Sequence, residues 1–225
     1  MFLSKQRPIV TPQREHARLA GILASYWGNE EFEAPPIPFE RFVTGVTVHD
    51  RGYEPFDTAA IPDSDDQRWL HHQRQSVEEK SGDAVVDLIV ALHVRRLLQH
   101  RPTAARLAYA RSIEPQIAAA AATLGLGETA LQWCDSITHF CDSVAFDFCF
   151  EVPRSSTVTV YQSAIRQCEL HYSILDHGRI SVSPWPFKST SIAATITAYA
   201  LDGYPNQRSP TLLEVSVVPS LPDRG

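Results

Sequence analysis

Residues 128–161, ETALQWCDSITHFCDSVAFDFCFEVPRSSTVTVY, change their hydrophobic period at Pro153. Up to residue 150 the apolar positions recur every three or four residues, which predicts a long helix. After Pro153 apolar and polar residues alternate, which predicts a strand over residues 156–161. The same alternation predicts four more strands, over residues 169–175, 179–182, 192–201 and 212–218. The sequence therefore predicts an α+β fold, in which a mainly helical bundle precedes a small antiparallel β-sheet.

Five further helices are predicted before residue 128. They cover residues 11–27, 39–50, 66–80, 83–100 and 104–124. Thr11 and Pro12 are interpreted as the capping residue and first position of the first helix. We expect a single integrated domain over residues 1–225, with a helical body at 11–152 that carries a metal site and an antiparallel β portion at 153–225. Residues 1–10 are typical of one or two short strands, which could join that sheet.

Charge and composition exclude several classes of protein. The 225 residues carry a net charge of −6, which argues against binding to nucleic acid or to an acidic membrane, because phosphate binding depends on clustered Lys and Arg. No apolar run reaches the roughly 18 residues of a spanning helix, and the first residues lack the pattern of a secretory signal. The cytoplasm is therefore the expected location. None of the four cysteines forms a C-x-x-C motif, so no zinc ribbon or dithiol redox site is predicted.

Five residues of metal-ligand type lie on or beside the apolar stripes of the predicted helices. They are His16, His49, Asp50, His93 and Asp142. Ionisable groups on a buried face need partners, and several of them can share one divalent cation. The sequence therefore predicts a metal site inside the helical body. Because imidazole and carboxylate are the available ligands, the expected ion is Mn, Fe, Zn, Ni or Co.

The residues near these ligands have different expected roles. Asp135 and Asp142 are seven positions apart, about 10.5 Å along a helix, so one ion cannot bind both. Asp135 could instead orient a ligand without touching the ion. His139 is three residues before Asp142 and is close enough to share its site. His71 and His72 lie on a polar predicted helix, and we expect them to face solvent.

The order His, His-Asp, Asp resembles that of the HD-domain superfamily of metal-dependent phosphohydrolases. Over nearly its whole length the chain also resembles a bacterial family known only as a domain of unknown function. The segments that carry this likeness are QREHARLAGILASYWG (13–28), HDRGYEPFD (49–57), LIVALHVRRL (88–97), CDSVAFDFC (141–149) and SPWPF (183–187). The resemblance implies four metal ligands and one further ligand. These are His16, His49, Asp50 and Asp142, with His93 as the further one. Tyr53 stands where many HD hydrolases have a lysine.

The expected function is hydrolysis of a small phosphate ester by metal-activated water. Asp50 would bind the ion and take part in catalysis. Asp57 would act as a general acid or base if its loop folds back over the site. Arg51 and Arg96, close to the ligands in sequence, could hold the phosphate. The expected partner is a small phosphorylated molecule, and neither nucleic acid nor a membrane is expected.

Two alternatives stay open at this point. The first is a metal- or ligand-binding module of HD-like fold without turnover, since a fold does not fix a function. The second is a di-iron enzyme of the oxygenase type, in which His93 and His139 would help to bind a second iron. An optical iron signal would separate the second alternative from a hydrolase.

Overall fold

The computed structural model describes residues 1–58 and 66–220, which form six α-helices and seven β-strands. The helices are α1 (Gln13–Ser25), α2 (Phe39–Thr47), α3 (Asp66–Glu78), α4 (Ala84–His100), α5 (Ala104–Leu124) and α6 (Glu128–Cys149). The strands are β1 (Phe2–Leu3), β2 (Ile9–Thr11), β3 (Arg154–Ser163), β4 (Arg166–Ile174), β5 (Arg179–Ser183), β6 (Ile192–Ala200) and β7 (Pro210–Pro219). A 3-10 helix, Arg51–Thr58, follows α2. The predicted α+β class is confirmed. In these described ranges, no helix combines the length and apolar character needed to cross a bilayer.

The sheet is larger than the sequence predicts, and it is mixed. Its strand order is β1-β2-β6-β7-β5-β4-β3, and it curls into half a barrel. The prediction of a small antiparallel sheet is wrong because β5 runs parallel to β7, which lies between β5 and β6. The N-terminal strands join the sheet as we expected. Ile9 pairs with Ala200 and Val10 with Tyr199, and these pairs extend one edge.

The end of α2 decides where the His-Asp pair lies. This helix ends at Thr47 and not at residue 50 as the sequence suggests. His49 and Asp50 therefore occupy the turn between α2 and the 3-10 helix. A turn leaves both side chains free to point into the core, whereas neighbours on a helix diverge by about 100°.

The start of α1 is capped by a remote residue. Thr11, the predicted cap, is buried in β2 and does not cap the helix. The backbone N–H groups of Gln13 and Arg14 instead donate to the two carboxylate oxygens of Asp57, at 2.8 and 2.9 Å. An aspartate that accepts the first N–H groups of a helix stabilises its N-terminus. The 3-10 helix therefore fixes the start of α1.

Helix α1 lies against α2, α6 and β6 and connects the two parts of the fold. One hydrophobic core continues from the helices into the inner face of the sheet. Near the start of α1, Glu15 accepts the backbone N–H of Thr197 at 2.8 Å, and Arg18 donates to the carbonyl oxygen of Thr195. Both contacts tie α1 to β6. The sheet therefore helps to position the helix that carries His16.

Gly21 sets how closely α1 and α2 approach each other. A Cβ at this position would lie 2.0 Å from Thr47 Oγ1 and 2.9 Å from Thr47 Cα. Because Cα belongs to the backbone, rotating the threonine side chain cannot relieve the whole clash. The close approach brings the turn after α2 next to His16.

We expect Gly21→Ala to lower the free energy of unfolding. Overpacking usually costs about 1–3 kcal/mol, and the helix preference of alanine over glycine offsets about 1 kcal/mol of that cost, so the net loss is up to about 2 kcal/mol. The control is Gly127→Ala at the start of α6, where a Cβ would meet no atom within 4 Å. The control should change stability by about 1 kcal/mol or less. Urea unfolding followed by circular dichroism measures both, and a Gly21→Ala protein as stable as the wild type would contradict the expected clash.

Candidate metal centre

The structure brings the four predicted ligands together in the core. His16 Nε2 lies 3.0 Å from Asp142 Oδ1, and His16 Nδ1 lies 3.4 Å from Asp50 Oδ2. His49 Nε2 lies 3.4 Å from the same Asp142 oxygen and 3.7 Å from Asp50 Oδ2. All four residues are at most 9% exposed. Two carboxylates and two imidazoles therefore face one another out of contact with bulk water.

The four candidate ligands come from three parts of the helical body. His16 is in the first turns of α1, Asp142 is inside α6, and the His-Asp pair follows α2. Gly52, just after the pair, allows the turn to lie directly against α3. A Cβ on Gly52 would be 2.4 Å from His72 O and from Ser76 N. Close backbone packing on α3 thus holds the turn in place.

The spacing of the donor atoms suits a single ion. Metal–ligand bonds of about 2.0–2.2 Å place neighbouring ligand atoms roughly 3–3.5 Å apart. Within the part of the chain that the structure describes, two sets of donors lie within 4.8 Å of one another. The first set is His16, His49 and Asp142, and the second is His49, Asp50 and His93. His16 Nδ1 and His49 Nε2 are buried without a hydrogen-bond partner, and a cation would satisfy both.

His49 is held in the tautomer that a ligand needs. Its Nδ1 lies 2.6 Å from the carbonyl oxygen of Val46. A carbonyl oxygen only accepts hydrogen bonds, so Nδ1 carries the proton and donates it. The lone pair is then on Nε2, which faces Asp142. Metal-binding histidines commonly donate their other N–H to a carbonyl or carboxylate in this way.

The electrostatics of the cluster favour positive charge between the carboxylates. Burial alone would raise the pKa of Asp50, but the histidines around it, His49 first, hold that pKa far below its usual range. Burial likewise opposes ionisation of Asp142, but the neighbouring imidazoles, His16 first and then His49, hold its pKa well below its usual range. Burial would lower the pKa of His16, yet Asp142 and Asp50 raise it to about 9. Both carboxylates are therefore ionised and need cationic partners.

His93 and Arg96 lie at one edge of the cluster. His93 Nε2 is 3.3 Å from Asp50 Oδ1, and its ring centre is 4.4 Å from that of His49. Arg96 donates to Asp142 Oδ2 at 3.2 Å and also pairs with Asp135. Asp135 thus reaches the cluster only through Arg96, in keeping with its predicted role of orienting a ligand.

The two arginines predicted to hold phosphate do not border the cavity above the cluster. Arg51 donates to the carbonyl oxygen of Ser76 at 2.8 Å and to Asp87 at 3.0 Å. Arg96 is engaged by Asp135 and Asp142 as described. Both guanidinium groups therefore bind protein atoms, and neither is assigned a contact with phosphate.

Three other predicted positions have different surroundings from those expected. Both carboxylate oxygens of Asp57 accept backbone N–H groups of α1, so we assign this residue no proton transfer. His72 is buried at 3% exposure, so the prediction that it faces solvent is wrong, while His71 is exposed. His139 is in neither donor set of the described residues. Burial and the nearby Arg96 lower the pKa of His139 to about 4.

A cavity of about 390 Å³ opens onto the cluster. Its polar floor is formed by His16, Asp50, His93 and Asp142. Its apolar walls are formed by Phe2, Trp69, Leu97, Phe146 and Phe150. Arg68 and His72 of α3 also line it. The sequence prediction missed the contributions of α3 because this helix is mostly polar. The spacing of Arg68, Trp69 and His72 at i, i+1 and i+4, which places them on one face, was the available signal.

Comparisons with known proteins identify a family without assigning an activity. No curated protein and no solved structure matches the chain. A family profile described as "protein of unknown function (DUF3891)" matches residues 2–203. This span is most of the sequence and includes all the candidate ligands, and the chain therefore belongs to the DUF3891 family.

Proposed function

We propose that this protein is a metal-dependent hydrolase of a small phosphate ester. The observation that carries the proposal is the convergence of His16, His49, Asp50 and Asp142 at ligand spacing, with three of them, His16, Asp50 and Asp142, lining a cavity. The order of these residues resembles that of the HD-domain phosphohydrolases. The apolar walls of the cavity indicate which kind of ester it would hold, and the second donor set, His49, Asp50 and His93, bears on the alternatives.

The donor set suits a divalent first-row ion. Imidazole nitrogen and carboxylate oxygen without a thiolate favour Mn, Fe, Zn, Ni or Co. When bound, such an ion polarises a phosphoryl oxygen and lowers the pKa of a coordinated water. The ligands would be His16, His49, Asp50 and Asp142.

Asp50 and Gln13 could together bind and orient a water molecule. The Gln13 side-chain N–H donates to Asp50 Oδ2 at 3.4 Å, while Gln13 Oε1 is buried and has no hydrogen-bond partner. An amide oxygen in that position can accept a hydrogen bond from water. Asp50 would help to hold the ion and could accept a hydrogen bond from that water, which would orient the water for attack. Asp50 therefore keeps the catalytic role predicted for it, with Gln13 as a positioning residue.

We propose Arg68, and neither Arg51 nor Arg96, as the arginine that binds the phosphate. It lines the cavity that contains the ligands, and its guanidinium can form charge-assisted hydrogen bonds to phosphate oxygens. The remaining walls are mostly aromatic. The substrate we propose is therefore a phosphate ester with an apolar or aromatic portion small enough for a cavity of about 390 Å³.

Two other functions are carried as alternatives. The donor set of His49, Asp50 and His93 would suit a second ion, which is the observation that favours a di-iron oxygenase. An iron absorption band, together with oxygen consumption and no phosphate release, would support it. Metal binding without turnover of any substrate would favour a binding module.

Metal removal should destabilise the protein. An ion held only by the folded state, at 100 times its Kd, adds about 2.7 kcal/mol to the free energy of unfolding. For a chain of this size, each kcal/mol shifts Tm by roughly 2–4 °C. We therefore expect chelation to lower Tm by roughly 5–10 °C in differential scanning fluorimetry, and Zn²⁺ or Mn²⁺ to restore it.

Asp142→Asn should abolish this response to chelator. The matched control is Asp147→Asn, a buried aspartate on the same helix that accepts a hydrogen bond from Tyr172 at 2.7 Å and lies outside the cluster. The control protein should keep the response even if its overall Tm falls. A wild-type melting curve that neither chelator nor added ions can move would contradict the metal site.

Loss of a ligand should abolish turnover. We expect His49→Ala and Asp50→Ala each to reduce kcat/KM by at least about 100-fold, because both water activation and charge stabilisation depend on the ion. The assay is phosphate release from aryl phosphates, nucleotides, sugar phosphates and diesters, with each of the five metals in turn. Release that survives in Asp50→Ala would indicate a contaminating enzyme and count against the proposal.

Arg68→Ala should mainly raise KM. A charged hydrogen bond to a phosphate contributes about 1.5–3 kcal/mol, which predicts a rise of roughly 10- to 100-fold. If the contact is equally strong in ground and transition states, kcat changes little. The matched control is Arg74→Ala on the same helix, where the guanidinium stacks on Tyr109. Equal KM values for the Arg68 and Arg74 variants would remove Arg68 from the substrate site.

A further inference from the structure

His93 lines the cavity and has one nitrogen beside Asp50. The residue lies inside α4, is 1% exposed and lines the cavity floor. Its Nε2 lies 3.3 Å from Asp50 Oδ1. Its sequence position alone suggested a metal ligand. The partner of its other nitrogen indicates a different role.

Arg96 determines which nitrogen of His93 carries the proton. Arg96 Nη2 lies 2.9 Å from His93 Nδ1. A guanidinium has donors and no acceptor, so His93 Nδ1 must accept this hydrogen bond through its lone pair. Asp142 Oδ2, the nearest possible acceptor for a proton on Nδ1, is farther away at 3.6 Å. In the neutral ring the proton is therefore on Nε2, the nitrogen next to Asp50.

His49 and His93 are consequently in opposite tautomers. In His49, the carbonyl oxygen of Val46 accepts the Nδ1 proton and leaves a lone pair on Nε2. In His93, the guanidinium of Arg96 occupies the lone pair of Nδ1 and leaves a proton on Nε2. A nitrogen that carries a proton cannot bind a metal. The two rings are neighbours, yet only His49 presents a lone pair to the ion.

We infer that His93 is a hydrogen-bond donor to a substrate oxygen in the cavity and not a metal ligand. This inference rests on the proposed function for the identity of the substrate. The acceptor would be a phosphoryl oxygen of the ester bound above the cluster, since anionic oxygens are the strongest acceptors for such a donor. Asp135 holds Arg96 in place by an ion pair. Asp135, Arg96 and His93 thus form one chain that ends in the Nε2–H of His93, a residue that lines the cavity next to Asp50.

Metal affinity separates the two roles of histidine. We expect His93→Gln, which keeps an N–H near the position of Nε2, to bind one Zn²⁺ per chain with a Kd within about tenfold of the wild type. His49→Ala should bind Zn²⁺ at least about 100-fold more weakly, because it removes a direct ligand. Isothermal titration with Zn²⁺ and elemental analysis measure both. If His93→Gln loses Zn²⁺ as His49→Ala does, His93 is a ligand and the inference fails.

The tautomers can also be read directly. In long-range ¹H–¹⁵N spectra of uniformly ¹⁵N-labelled protein, His93 should show an unprotonated Nδ1 and a protonated Nε2, with and without Zn²⁺. His49 should show the reverse pattern, with its Nε2 shifted by added Zn²⁺. Arg96→Met removes the donor and should allow the His93 proton to move to Nδ1. A protonated Nδ1 in wild-type His93 would overturn the inference.

Activity provides the third readout. His93→Ala should lower kcat/KM at least tenfold at saturating Zn²⁺, and His93→Gln should recover part of the loss. If the proposed function is wrong, the wild type itself binds no Zn²⁺ or hydrolyses no ester, and this result differs from a loss of activity in the His93 variants alone. The spectra of the metal-free protein still decide the tautomer of His93 in that case.

Discussion

The burial of Asp50 and Asp142 in the core is the constraint on which the site depends. An ionised carboxylate removed from water costs several kcal/mol unless charged partners and hydrogen bonds surround it. The protein supplies those partners from separate elements: His16 from α1, His49 from the turn after α2, and Arg96 from α4. The elements that carry these groups must therefore pack around one point. Nδ1 of His16 and Nε2 of His49 still lack hydrogen-bond partners there, and a bound cation is the simplest group that completes the cluster.

The surrounding hydrogen bonds give similar side chains different chemistry. A carbonyl oxygen next to His49 and a guanidinium next to His93 fix opposite protonation patterns in two adjacent imidazoles. The residue type alone does not tell a metal ligand from a hydrogen-bond donor, because histidine commonly serves as either. The partner of the far nitrogen decides the role. Arg96, for which the sequence suggested a phosphate contact, donates hydrogen bonds to His93 and Asp142 and so orients both side chains.

The sequence predicted the convergence of the four ligands because their elements follow simple periodic patterns. His16 and Asp142 lie on the buried faces of amphipathic helices, and the His-Asp pair follows directly on a third. The contribution of α3 could not be read in this way. Its residues are mostly polar, and His72 is buried where the turn after Asp50 lies against α3, a close approach that Gly52 allows. The pairing of β5 with β7 and the capping of α1 by Asp57 are contacts between distant residues, for which the local sequence carries no signal.

The sheet has a physical role in the site although none of the four central ligands comes from it. It holds α1 through Thr195 and Thr197 of β6. Beyond β6, the hydroxyl of Tyr204 donates to the backbone carbonyl of Asp57 at 2.6 Å. Asp57 in turn caps α1. The contacts from β6 and the cap supplied by Asp57 therefore all reach the first turns of α1, where His16 lies. Because a shift of about 1 Å in a ligand is enough to spoil coordination geometry, rigid attachment of α1 to the sheet is a condition for holding His16 against Asp142.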